Sequence, residues 1–192
     1  MCWRKSKYNP LGDPLKKTDK FFPAIDDTYY AAWNRQWFEN FEGYADKYRD
    51  AAISLYESID SRFDKDNFAY PIMFLSRHCV ELRLKSIIHY LKADDSYKNK
   101  DNKHSLLILW NIVDSLYLGS KAGSYKYANS LINELNRYDC KSDTFRYPIH
   151  NNNTRTNTNE FINIDAFYRT FRKLDLFLEG IEAELQETNV SK

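Results

Sequence analysis

The stretch FLSRHCVELRLKSII (residues 74–88) decides the fold. At about 100° per residue, Ile72, Leu75, Cys79, Val80, Leu82, Leu84, Ile87 and Leu91 cover well over half the circumference of a helix. The remaining sector carries Arg77, His78, Glu81, Lys85 and His89. A helix that is apolar on most sides sits at the centre of its fold. Its one polar stripe then either faces water or lines a pocket. The pattern predicts a helix over Phe68–Ala93, with Pro71 in the first turn, where a missing N–H costs nothing.

Amphipathic helices are predicted on either side of this element. Upstream, Tyr30, Trp33, Trp37, Phe41, Tyr44, Tyr48, Ala52, Leu55 and Ile59 follow at steps of three and four, with Asp27 and Thr28 as N-caps and a bend near Gly43. Residues 1–26, punctuated by Pro10, Pro14 and Pro23, read as an N-terminal extension, and residues 27–192 as the helical domain. Downstream, DDSYKNKDNK (94–103) reads as a solvated loop. A third helix is expected over Ser105–Leu118, with Leu106, Leu109, Trp110, Val113 and Leu116 inward. A fourth is expected over Ser124–Tyr138. The final helix carries the unbroken seam Ile164, Phe167, Phe171, Leu174, Leu178, Ile181, Leu185, suited to antiparallel packing or to a partner helix. No strand pattern competes. The expectation is an all-α antiparallel bundle of about five helices.

Composition narrows the function. The chain has 192 residues, 43% of them apolar and 29% charged, which is enough for a folded core. A net charge of +1 lacks the basic excess of a dedicated duplex-DNA binder. Three cysteines without CxxC spacing, no apolar leader and no long apolar run predict reduced thiols, a cytoplasmic location and no membrane association. No nucleotide-binding glycine loop, GxSxG or HExxH is present. His78-x-x-Glu81 has helical spacing for metal ligands, but no third ligand lies nearby in sequence, so neither a metal nor another cofactor is expected.

Three segments in order, FLSRHCVELRLKSII (74–88), HSLLILW (104–110) and DTFRYPIH (143–150), resemble the HEPN superfamily, especially prokaryotic members from defence and toxin–antitoxin loci. The resemblance covers about residues 65–185. It implies a small helical bundle, commonly a homodimer, and in catalytic members a metal-independent endoribonuclease with an Arg and a His near the start of a late helix. Carried onto this chain, it implies that Arg146 holds the phosphate, His150 acts as base and Glu81 orients Arg146. Arg77, His78, Lys85 and Tyr147 would then contact RNA. A neutral imidazole can take the proton of a 2′-OH, and a guanidinium can hold phosphate oxygens as charge builds.

The chain departs from the pattern in one respect. Only three residues separate Arg146 from His150, and one is Pro148, which pushes Tyr147 toward an extended backbone. A second reading therefore stands beside the first: a catalytically inert dimeric module that binds a partner protein of the same locus or a small ligand. In that reading the 145–150 segment is a structural corner. Phe145 and Tyr147 plug the core and Arg146 pairs with Glu81. Arg77–Glu81 and Glu81–Lys85 would be ordinary i,i+4 pairs on a wet face, each contributing about 0.2–0.5 kcal/mol. His104, at a helix start, is a further candidate base or a simple cap.

Overall fold

A computed structural model describes residues 40–98, 103–121, 123–147 and 162–190. Six helices and no strand occur among them: α1 (Phe41–Glu57), α2 (Arg62–Tyr90), α3 (Asp95–Lys98), α4 (Leu106–Leu116), α5 (Ser124–Tyr138) and α6 (Ile164–Val190). The all-α expectation holds. The expected boundary between extension and domain, and His150, lie outside the described residues.

Helix α2 is the central element, packing against α1, α4 and α6. Its apolar residues Cys79, Val80, Leu84, Ile87 and Ile88 are buried on all its sides against Ala45 and Ala52 of α1, Leu106, Leu109 and Val113 of α4, and Phe171, Leu174 and Leu178 of α6. A smaller apolar group gathers Ile72 and Met73 of α2, Phe145 and Ile164 at one end.

Polar contacts fix the helix directions. Glu42 bonds Tyr90 and His78 packs on Tyr48, so α1 runs antiparallel to α2. Lys65 meets Asp165, Arg83 meets Asp175 and Glu182, and Tyr90 meets Gln186, so α6 runs parallel to α2. The seam of α6 thus serves a parallel neighbour within the same chain; the crossover through α4 and α5 makes that topology available. Helices α4 and α5 are antiparallel, joined by Ser105–Asn136, Trp110–Asn129 and Tyr125–Asp114 bonds.

Several boundaries differ from the sequence expectation, each for a local reason. Asn40 is extended (φ −106°, ψ 161°) and its side chain accepts from Gly43 N at 2.8 Å. It therefore caps α1, so the expected helix over residues 27–59 is not continuous through it. Helix α2 starts at Arg62 because Ser61 caps it, exchanging bonds with Asp64. Pro71 consequently lies inside α2 rather than in its first turn, and deprives the Asn67 carbonyl of its helical donor. Residues 95–98 of the expected loop form a short helix that buries Tyr97. Leu116, expected inward, is 42% exposed.

Candidate functional site

Most of the polar stripe of α2 is buried and paired; its far end, at His89, is exposed and lines an open pocket. Arg77, Glu81 and Lys85 are buried, whereas His78 is half-buried and His89 is exposed. The Arg77 guanidinium reaches three chain segments. Nη1 donates to Glu81 Oε2 at 2.8 Å, Nη2 to the His104 carbonyl at 2.6 Å and Nε to the Asp139 carbonyl at 3.1 Å. Nε also lies 3.1 Å from Asp139 Oδ2. These contacts tie α2 to the start of α4 and the end of α5, satisfying a charge that burial would otherwise penalise heavily.

Glu81 is the other half of this hub. Lys85 Nζ donates to its Oε1 at 2.7 Å, and His104 Nδ1 lies 2.7 Å from the same oxygen. Burial alone would raise the carboxyl, but Lys85, the His104 bond and Arg77 outweigh it and bring Glu81 down to about 2. Glu81 is therefore ionised at neutral pH and can only accept hydrogen bonds. His104 Nδ1 must then be the donor, and in the neutral imidazole Nε2 carries the lone pair. The imidazole is half exposed, at 51%, over a carboxylate that is 1% exposed. A buried anion that fixes the tautomer and orientation of a solvent-facing imidazole is the arrangement a general base requires.

The expected Glu81–Arg146 pair does not form. Glu81 is engaged by Arg77, Lys85 and His104, while Arg146 is exposed on the turn after α5. Arg146 Nε donates to the Ser142 carbonyl. Its guanidinium sits 5.8 Å from the Phe74 ring centroid and 5.3 Å from that of Tyr147. It has no carboxylate partner among the described residues. Of the expected plugs, Phe145 is buried, but Tyr147 is 54% exposed, because its side chain leaves the corner that Phe145 fills.

The turn itself is built on Asp139. Its Oδ1 accepts from the backbone N–H of Asp143 and Thr144 at 2.8 and 3.0 Å, and the Asp143 carbonyl accepts from Arg146 and Tyr147 N–H. Phe74 precedes Arg77 by one turn of α2, so Arg146 and His104 border the same stripe. His78, next to Arg77 in sequence, packs on Tyr48 and Phe74. Its burial pushes the imidazole below its usual range and favours the neutral form, against the pull of Glu81. His89, at the far end, pairs with Asp94 at 2.9 Å.

A second buried charge group lies on the opposite side of α2. Arg83 Nε and Nη1 donate to Asp175 and Glu182 of α6 at 3.1 and 2.7 Å, and Nη2 donates to Asp46 of α1 at 2.6 Å. One guanidinium thus serves two fully buried carboxylates. Burial pushes Glu182 up to about 7, with Arg83 and Ser86 offsetting only part of the shift. Nothing in the 74–88 stretch marks Arg83 as special, because its neighbours in sequence are leucines and its acids lie on a distant helix.

No family model, no curated protein and no solved structure matches this chain. No helix among the described residues is long and apolar enough to cross a membrane.

Proposed function

We propose that this chain is an HEPN-like, metal-independent endoribonuclease whose base is His104. The observation that carries this reading is the Glu81–His104 pair: a buried, ionised carboxylate 2.7 Å from the nitrogen of a half-exposed imidazole. In the proposed reaction, Nε2 takes the 2′-OH proton as the 2′-oxygen attacks the adjacent phosphorus. Arg146 holds the non-bridging oxygens, and the bond to the 5′-oxygen breaks. His150, offered as base by the family resemblance, returns a proton to the leaving 5′-oxygen. The products are a 2′,3′-cyclic phosphate and a 5′-OH. Glu81 acts through His104 rather than Arg146, and Arg77 and Lys85 hold Glu81 in its ionised form.

Incubation with total RNA in EDTA tests this reading. Wild type should leave cyclic-phosphate ends, while His104→Ala, Arg146→Ala and His150→Ala should each lose at least about 100-fold in rate. Unchanged cleavage by His104→Ala would sink the assignment.

The inert, dimeric interaction module is favoured by one observation: Arg77, Glu81 and Asp139 are wholly buried, as a purely structural network would be. A folded homodimer, shown by light scattering, that leaves RNA intact would support that module.

A further inference from the structure

An open groove of about 650 Å³ runs between α4 and α5, lined by Leu107, the amides Asn129, Asn133 and Asn136, and the oppositely charged Glu134 and Arg137. It begins beside the proposed base, because Ser105, the residue after His104, donates to Asn136 Oδ1 at 3.1 Å. The groove's amides are pre-oriented. Trp110 Nε1 donates to Asn129 Oδ1 at 2.9 Å, and Leu107 N donates to Asn136 Oδ1 at 3.2 Å. The amide nitrogens of Asn129 and Asn136 are the ends left for a ligand. Asn133 spends its own nitrogen on Asn129, which leaves its oxygen as an acceptor.

At the rim of the groove Arg137 lies 5.5 Å from the ring of Tyr138, itself 47% exposed. Arg146 and Tyr147 repeat that pairing on the other side of the Asp139 turn. The two pairs are two hydrogen-bonded steps apart, through Asp139–Asp143 and Asp143–Tyr147. Arg137 has no carboxylate partner among the described residues. Of the two acids between the pairs, Asp139 is committed to Arg77 and to the turn's backbone, while Asp143 is half-buried; Lys141 is exposed. On the strip from 137 to 147, Arg137, Lys141 and Arg146 outnumber Asp139 and Asp143, and two exposed tyrosine rings stand beside the arginines. Cations without acidic partners meet phosphates, exposed rings stack on bases, and amide ends meet base edges. A duplex hides its base faces everywhere but at its two ends, so it offers the rings little to stack on.

We infer that the α4–α5 groove, with the Arg137–Tyr138 pair at its rim, binds single-stranded RNA and leads it to the His104 site. The inference rests on the nuclease reading for its choice of RNA, and its test separates the two. Fluorescence anisotropy with a labelled 12-nucleotide single strand and its blunt RNA duplex, in EDTA, would use the full chain carrying His104→Ala. The single strand should bind at least about tenfold tighter than the duplex. Tyr138→Ala should weaken it at least about fivefold, and Tyr138→Phe should retain binding. Arg137→Ala should lower the log–log salt slope by about 0.7. Equal binding of duplex and single strand, or parental affinity in Tyr138→Ala and Arg137→Ala, would overturn the groove assignment. If wild type cleaves RNA, those variants bind with parental affinity, and Tyr138→Ala and Arg137→Ala introduced into the wild-type chain cleave normally, the groove falls and the nuclease stands. If groove-dependent binding occurs and wild type cleaves nothing, the groove stands and the nuclease falls.

Discussion

Replacing Glu81 with Gln would remove the anion on which Arg77, Lys85 and His104 converge. Lys85 would then lose its carboxylate and Arg77 would keep only Asp139, and the expected destabilisation is about 3–5 kcal/mol in urea unfolding. The native carboxyl sits near 2, below its ordinary 4.5, so its contribution is fully present above pH 4.5 and is lost as pH falls toward 2. By that linkage about 3 kcal/mol disappears across the window, and the Gln variant should show no such slope. His104→Ala instead removes a half-exposed ring, so it should cost activity far more than stability. Membership of this stripe was legible from its helical spacing, but its burial was not. Burial depends on Asp139, 62 residues after Arg77, and on the backbone of His104, and spacing along one helix carries no trace of either.

At the level of elements, the junction between α4 and α5 is pinned by Tyr117, whose hydroxyl donates to Glu184 of α6 at 2.5 Å. Burial and that bond push the phenol up to about 12. Gly119 lies so close that an added Cβ would stand 2.1 Å from the hydroxyl and 2.8 Å from Glu184 Oε1. Gly119→Ala should therefore expel the Tyr117 ring and lower stability by about 1–3 kcal/mol, and a crystal structure of the variant should show the Tyr117–Glu184 hydrogen bond broken. Pro71→Ala should act in the opposite sense. It gives the exposed interior of α2 back an N–H for the Asn67 carbonyl, stabilising by up to about 3 kcal/mol, readable as a higher urea midpoint. Helices α5 and α6 were legible because their apolar periodicity begins and ends with the elements. The start of α1 was not, because the periodicity runs on through Asn40, whose side chain satisfies an amide and closes the helix there. Pro71 misleads in the same way: a proline reads as a first-turn residue unless Ser61 and Asp64 are recognised as an earlier cap.

Across the whole molecule, the two charge groups of α2 respond to acidity in opposite directions. Glu182 is raised to about 7, above its ordinary 4.5, so the native state holds its proton more tightly than the unfolded chain does. Its contribution is fully present below pH 4.5 and is lost as pH rises toward 7, by about 3 kcal/mol. Together with Glu81, this places the greatest stability near pH 4.5–5 as far as these two groups decide it. Glu182→Gln should flatten the upper limb, measured as unfolding free energy from pH 4.5 to 8, and leave the lower limb in place. An unchanged upper limb would assign that slope to another group.

The two arginines of α2 also differ in when their partners become available during synthesis. Arg77 finds its first carboxylate four residues on, whereas those of α6 that neutralise Arg83 come 92 and 99 residues later. A nascent chain can therefore assemble α1, α2, α4 and α5 around Arg77 while Arg83 still points toward an absent helix. Until residues 175–182 leave the ribosome, that face of α2 must stay hydrated, which keeps the apolar surface beside it from closing. The arrival of α6 is then the event that seals the domain. A chain interrupted before residue 175 would present an unfinished, sticky flank to chaperones and proteases, however well the first helices had formed.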